Sequence, residues 1–325
     1  MKAITIDSYG SSDVLTVTDG DPPTIDGDGD RVRIRVEAAG VNFADVEQRR
    51  GRYPDGPEPP FVPGLDVAGR VIAAPSEASV DVGDRVAAIV SGGGYAEIAT
   101  ARIDRTIPVP ESLSAREAVT IPVQGMTAHN TLHEWGELRP EDRVLIHAAA
   151  GGVGSLAVQL AAAAGAEVFA TASTDAKLDL ARELGADHAI DYAETDVAAA
   201  VSERTDDEGV DLVLDGVGGD AFAASVEALA PVGRIVTFGM ASGSIPTVAT
   251  PRLLFENRSV VGYHLEHALE HVPDRVETAI PDLLDHLTAG RVDPVIGGTF
   301  DLTDARAAHD ALESRETVGK VVLEP

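Results

Sequence analysis

No cysteine occurs among the 325 residues, which removes disulfides, thiolate metal sites and thiol nucleophiles from consideration. Lysine is nearly absent too: of 25 basic residues only Lys2, Lys177 and Lys320 are lysine. Against 54 acidic residues this leaves a formal net charge of −29. A single-sign excess of that size repels phosphate backbones and anionic membranes, so no nucleic-acid partner is expected. The carboxylates are spread along the chain rather than gathered into a tail, which argues against an acidic interaction arm. Scattered acid with little lysine suits molar salt, where charges are screened over ~3 Å; the balance reads as halophilic adaptation. No stretch approaches the ~20 apolar residues of a membrane span. The opening MKAITIDSYG lacks the pattern of a secretory leader, so a cytoplasmic protein is expected.

What is present divides in two. Up to about residue 122, short β-branched runs are separated by Gly, Pro and Asp, and Arg31 to Glu37 (RVRIRVE) alternates as a half-buried strand does. Val67 to Ala73, Arg85 to Val90 and Tyr95 to Ala99 are further strand candidates. From about residue 123 to 265 apolar runs alternate with helical patterns: VLIHA then GSLAVQLAAAAG, EVFATA then DAKLDLARELG, VDLVLDG then DAFAASVEALA, RIVTFG. Such alternation predicts a parallel sheet with helices on both faces. The remainder predicts a helix over 273–289, a strand at 298–300, a helix over 305–313 and a closing strand KVVLE. These would return to the first domain, giving 1–122 with 266–325 as one domain and 123–265 as an insertion.

The segment VLIHAAAGGVGSLAVQLAAAA runs from a buried strand through Ala150-Gly151-Gly152-Val153-Gly154 directly into a helix. Glycine there lets backbone turn tightly and approach a pyrophosphate, Gly154 lets the helix pack on the sheet, and the first-turn N–H groups face the phosphates. Because further strand–helix units follow, the turn predicts dinucleotide binding. An NAD-selective site would place an acid at the end of the next strand. That strand ends at Thr171-Ala172, followed by Ser173, Thr174 and Lys177. Two hydroxyls and an ammonium suit a 2′-phosphate, so NADPH is the expected cofactor; the alternative is that Thr174 merely caps a helix and Lys177 is a solvated surface residue.

These residues, with VNFADVEQRRGRYP, PFVPGLDVAGRV, VGDRVA, GGGYAEIA, IPVQGMTAHNTL, KLDLARELGADHAIDY and GRIVTFG, stand in an order that resembles the zinc-free quinone oxidoreductases of the medium-chain dehydrogenase/reductase superfamily. The resemblance spans nearly the whole chain. It implies an α/β protein: a GroES-like, mostly-β catalytic domain plus a Rossmann doubly wound domain, with the active site in the cleft between them. It also implies a homodimer, and hydride transfer from NADPH to a small quinone or enone. By position, Asn42 and Tyr53 would be catalytic, with Asn42 also touching the cofactor and Asp45 fixing the local backbone. Thr127 would meet the nicotinamide ribose and Tyr192 the adenosine half. Phe238, Gly239, Met240, Tyr263 and His264 would form the nicotinamide wall, and Lys320 would be a further cofactor contact. Packing near Pro54 is the alternative for Tyr53, and turn stabilisation that for Asn42. Where relatives carry a second aromatic residue this chain has Glu47.

Zinc-dependent alcohol dehydrogenases share this implied fold, but Asn42 and Leu65 stand where two of their zinc ligands would be, and neither side chain is a plausible ligand. No metal is therefore expected. The pairs His129/His133 and His264/His267/His271 have helical spacing, yet no His-Glu-x-x-His accompanies them. Two other functions remain open: an enoyl-CoA reductase, or a non-catalytic NADPH-binding protein of crystallin or RNA-binding type.

Overall fold

A computed structural model describes residues 1–25 and 29–325, which fall into two compact units: Met1–Val123 with Pro294–Pro325, and Gln124–Asp293. In chain order the first unit contributes β1 (Lys2–Ile6), β2 (Leu15–Asp19), β3 (Arg31–Val41), β4 (Asp66–Ala73), β5 (Arg85–Ile89), β6 (Ile98–Arg102) and β7 (Thr106–Pro108). The second contributes β8 (Arg143–Ile146), β9 (Glu167–Ala172), β10 (His188–Asp191), β11 (Val210–Asp215), β12 (Leu229–Thr237) and β13 (Ser259–Gly262). The chain then returns with β14 (Ile296–Asp301) and β15 (Lys320–Glu324).

In the first unit the alternation of β3 is realised as written: Val32, Ile34 and Val36 are buried while Arg31 and Arg35 are exposed. β3 pairs antiparallel with β4, β6 and β15, so the C-terminal strand lies against residues near position 40. The expected strand at 95–99 forms three residues later, as β6, because Tyr95 and Ala96 instead bridge to β1.

The second unit is a parallel sheet in the order β10-β9-β8-β11-β12-β13. This is the doubly wound order, in which crossovers reverse direction between β8 and β11 and open a crevice at the strand ends. Its runs read as continuously apolar because both faces are covered: Val144, Leu145, Ile146, Val213 and Ile235 are all buried.

The expected boundary at 265/266 does not match this division; the return falls at Pro294. The expected helix over 273–289 is two helices, Pro273–Glu277 and Ala279–Thr288, and both belong to the second unit. Asn130 Nδ2 donates to the Val276 carbonyl at 3.1 Å, and Gln159 exchanges two hydrogen bonds with the Asp293 backbone at 3.0 and 2.7 Å. Amphipathicity showed that these helices bury a face; it did not show against which core.

Candidate functional site

In the second unit the helix Gly152–Ala163 starts with Gly151 as its N-cap, so the N–H groups of Gly152, Val153 and Gly154 have no partner within the helix. Each glycine has its own steric reason. A Cβ on Gly154 would stand 2.3 Å from the Ala148 carbonyl, and one on Gly152 2.2 Å from the Gln124 amide. The turn therefore presents bare backbone at the β8/β11 switch point, where an anion is best received. Gln124, packed against this glycine, had no signal in the sequence.

The other expected residues of this unit, Thr127 apart, gather along the same edge of the sheet, because they follow the carboxyl ends of parallel strands. Ser173 and Thr174 follow β9, Tyr192 follows β10, Phe238 to Met240 follow β12, and Tyr263-His264 follow β13. The Phe238 ring covers Gly216, and a Cβ on Gly239 would lie 2.8 Å from the Gly216 carbonyl, so the exits of β11 and β12 are stacked. Asp215, fully buried at the end of β11, fixes that exit by accepting from the N–H groups of Val217 and Gly218 at 2.8 and 3.0 Å. Tyr192 and Met240 are exposed, whereas Tyr263 is buried with its ring edge-on to Trp135 at 4.8 Å. His264 caps the helix Leu265–His271, its Nδ1 accepting from His267 N at 3.3 Å. Thr127 is buried in the first turn of the helix Met126–Leu132 and is not at a strand end.

No carboxylate stands at the end of β9 or at Ser173 and Thr174; the first is Asp175, in the first turn of the next helix. Thr174 caps the next helix, its hydroxyl oxygen accepting from the Lys177 N–H at 3.4 Å. Capping uses a lone pair and leaves the Thr174 O–H free to donate, so the capping role and a phosphate-binding role are compatible.

The first unit holds Asn42 in a closed polar triangle. Asn42 Nδ2 donates to Asp66 Oδ1 at 2.7 Å, Lys320 Nζ donates to Asp66 Oδ2 at 2.6 Å, and Lys320 Nζ donates to Asn42 Oδ1 at 2.9 Å. A carboxylate only accepts and an ammonium only donates, so the orientation of the Asn42 amide is fixed by its neighbours. Gly40 makes the space, since a Cβ there would stand 2.2 Å from Asp66 Oδ1 and 2.4 Å from Lys320 Nζ. This redirects the expectation for Lys320: with a side chain 0% exposed, it supports Asn42 rather than presenting an ammonium to a phosphate. It also tests the fit of a catalytic zinc, which fails. The Asn42 oxygen is already committed to an ammonium, Leu65 offers no donor atom, and a buried cation beside Asn42 opposes a second one.

A second buried chain reaches the same turn. Asn42 caps the helix Phe43–Arg49, and its N–H donates to Asp45 Oδ2 at 2.8 Å. Arg49 Nη1 lies 3.3 Å from His309 Nδ1; His309 Nε2 lies 3.0 Å from the Tyr95 hydroxyl, which donates to Asp45 Oδ2 at 3.4 Å. An arginine can only donate, so Nδ1 accepts, Nε2 carries the proton, and the whole chain points toward Asp45. Burial, with Arg49 and Arg50 nearby, pushes His309 down to about 3, keeping it neutral. Burial also pushes Asp45 up to about 7, assisted by the charge of Asp66 and opposed by the Asn42 N–H. Burial and the nearby Asp45 charge raise the Tyr95 hydroxyl well above its usual range. Tyr53 is half-buried in the turn after this helix, its N–H donating to the Glu47 carbonyl at 3.3 Å, while the Glu47 carboxylate pairs with Arg50 at 3.2 Å.

Comparison with known proteins matches a family to part of each unit. Residues 28–111 match the family described as "Alcohol dehydrogenase GroES-like domain" and residues 152–285 the one described as "Zinc-binding dehydrogenase". A quinone oxidoreductase of Pseudomonas aeruginosa is 35% identical over 100% of this chain and 99% of its own. A 2-haloacrylate reductase of Burkholderia is 36% identical over 91% of each. Among solved structures, the quinone oxidoreductase of Escherichia coli complexed with NADPH superposes with a TM-score of 0.93 at 30% identity, covering 100% of both chains.

Proposed function

We propose that this chain, which belongs to the quinone oxidoreductase family of the medium-chain dehydrogenase/reductase superfamily, reduces a quinone or a conjugated enone with NADPH and without a catalytic metal. The observation that carries the reading is the Asn42–Asp66–Lys320 triangle, which places a buried ammonium beside the residue that stands at a zinc-ligand position. Bound NADPH supplies the hydride. The N–H groups of Gly152, Val153 and Gly154 receive the pyrophosphate, and Ser173, Thr174 and Lys177 take the 2′-phosphate. Tyr192 lies with the adenosine half; Thr127, Phe238, Gly239, Met240, Tyr263 and His264 lie with the nicotinamide.

Without a Lewis acid, an isolated ketone is a poor acceptor, because nothing replaces the several kcal/mol a metal supplies. A conjugated acceptor spreads the developing charge onto a distant oxygen, where the Asn42 amide or the Tyr53 hydroxyl can donate a hydrogen bond. The triangle uses one N–H of the Asn42 amide and leaves the second available. The haloacrylate reductase among the relatives favours a conjugated substrate over a simple alcohol. The test is a panel of quinones, enones, enoyl-CoAs and simple alcohols, run with NADPH and NADH on chelator-treated protein. Turnover of quinones or enones is expected to persist after chelation, and efficient oxidation of a simple alcohol would reject the reading.

The active form is read as a homodimer. Among the described residues β13 is the outer strand of its sheet, pairing with β12 alone. Beside it Leu254 and Phe255 are 71% and 81% exposed, joined to the exposed Val232 through the bond from Val232 N to the Glu256 carbonyl at 2.8 Å. An open strand edge next to exposed apolar side chains is suited to a second copy of the chain.

A further inference from the structure

Two of the three glycines in the turn after β8 answer to backbone, since a Cβ on Gly151 or on Gly154 would meet the Ala148 carbonyl first. Gly152 answers to a side chain. The three atoms nearest a Cβ there would be Nε2, Cδ and Oε1 of Gln124, at 2.2, 2.3 and 2.4 Å, so the carboxamide turns its flat face to the Gly152 Cα. Cα–Cβ bonds in a helix lean toward its N-terminus, which puts the amide at the open end of the helix Gly152–Ala163, beside N–H groups without helical partners. Gln124 opens the second unit and lies in the π-helical turn Ile121–Gly125, three residues before the buried Thr127. Such turns are rare and are frequent at functional sites. The Gln124 side chain is buried, the residue being 8% exposed, yet its Oε1 has no hydrogen-bond partner. Packing alone would be served better by an apolar side chain, because an unpaired buried polar atom is unfavourable.

We infer that Gln124 is a cofactor-binding residue whose carboxamide donates a hydrogen bond to the diphosphate of the dinucleotide, an inference that rests on the proposed NADPH site. A carboxamide carries two N–H donors, and a diphosphate oxygen only accepts, so the bond is charge-assisted. No hydrogen bond to Oε1 fixes which way the amide faces. Its oxygen and nitrogen are nearly the same size, so the group turns about its last side-chain bond to bring a donor to the anion while the backbone stays in place. The neutral amide leaves the positive end of the helix to the phosphates, where a carboxylate would take the free N–H groups itself and repel them. Gly152 is then small for two reasons at once, admitting the phosphates on one side and the amide on the other. The diphosphate is common to NADPH and NADH. Gln124 therefore serves affinity for either cofactor, whereas Ser173, Thr174 and Lys177 serve the choice between them.

The test measures binding of NADPH and NADH by nicotinamide fluorescence, and of ADP-ribose by calorimetry, to the full-length protein. Gln124→Leu fills the same space without donors, and melting curves of the ligand-free proteins check the fold. Gln124→Leu should weaken all three ligands by a common factor of roughly ten, the scale of a hydrogen bond to a charged acceptor, with its melting temperature unchanged. Gly152→Ala should displace the amide and weaken binding about as much as Gln124→Ala does. Combined, the two substitutions should cost little more than either alone, the coupling expected of residues in contact. Should Gly152→Ala prove unfolded, the Gln124→Leu comparison decides. The inference is overturned if Gln124→Leu binds all three ligands as wild type does. A loss confined to NADPH would overturn it by pointing to the 2′-phosphate, and a loss that spares ADP-ribose by pointing to the nicotinamide. Fully additive losses from Gly152→Ala and Gln124→Ala would overturn it as well. Wild type that binds none of the three would reject the NADPH reading itself, and this inference with it.

Discussion

Replacing Lys320 with Met retains the length of the side chain and deletes its ammonium. Asp66 is fully buried, and its two oxygens are engaged by Asn42 Nδ2 at 2.7 Å and Lys320 Nζ at 2.6 Å. The variant therefore leaves a buried carboxylate with one neutral donor, and breaking such a pair from one side costs about 3–5 kcal/mol. At roughly 2–4 °C per kcal/mol for a unit of this size, the melting temperature should fall by about 6–20 °C. Adding Asp66→Asn removes the stranded charge, so the double variant should recover much of the loss, a coupling expected of direct partners. Gly40→Ala drives a methyl group between the same two side chains and should reproduce the single-variant loss without touching either charge. Melting followed by circular dichroism at one fixed salt concentration reads all four proteins, and turnover reads whether Asn42 has been released. If Lys320→Met melts within about 2 °C of wild type, or the double variant is no better than the single, the triangle does not hold Asn42 as described.

The buried Asp45 gives a pH signature. Its folded value of about 7 lies above the ordinary 3.8, so between those limits the folded state keeps a proton that the unfolded chain has released, and stability falls as pH climbs from about 4 to about 7. His309 and His133, held at about 3 and about 4, work in the opposite direction up to about pH 6.5, so the readout is the difference between wild type and Asp45→Asn. Identical pH slopes in the two proteins would show that Asp45 is ionised throughout. Lys177→Glu should weaken NADPH by roughly 1–3 kcal/mol of charge-assisted bonding and hardly touch NADH; equal wild-type affinity for both cofactors would remove the basis for a 2′-phosphate site. Tyr53→Phe should lower turnover about tenfold to a hundredfold if its hydroxyl donates to the substrate, and an unchanged rate would leave it a packing role. Because the net charge is −29, the melting temperature should climb as salt shortens the screening length from ~10 Å at 0.1 M to ~3 Å at 1 M; a flat profile would argue against salt adaptation.

Local patterns carried the parts of this protein that are local. The strand–glycine–helix turn at Val144 to Ala164 announced a nucleotide site because tight turning, phosphate access and helix packing all demand small residues within a few positions. The lack of an acid at the very end of β9, at Thr171-Ala172, and the inward face of β3 were equally readable, since each depends on neighbours in sequence. What brings distant residues together was not readable. Lys320 meets Asn42 across 278 positions, His309 meets Tyr95 across 214, and Asp282 meets His129 across 153. Hydrophobic periodicity states which face of an element is buried and is silent about its partner. The sequence by itself thus determined two domains, a dinucleotide turn and the identity of Asn42 and Leu65 at the positions compared with zinc ligands. Only the tertiary structure decided that the last lysine braces Asn42, and that the helices after β13 pack on the second unit. Those outcomes depend on β15 pairing with β3 and on helix packing within the second unit, both set by the whole core at once.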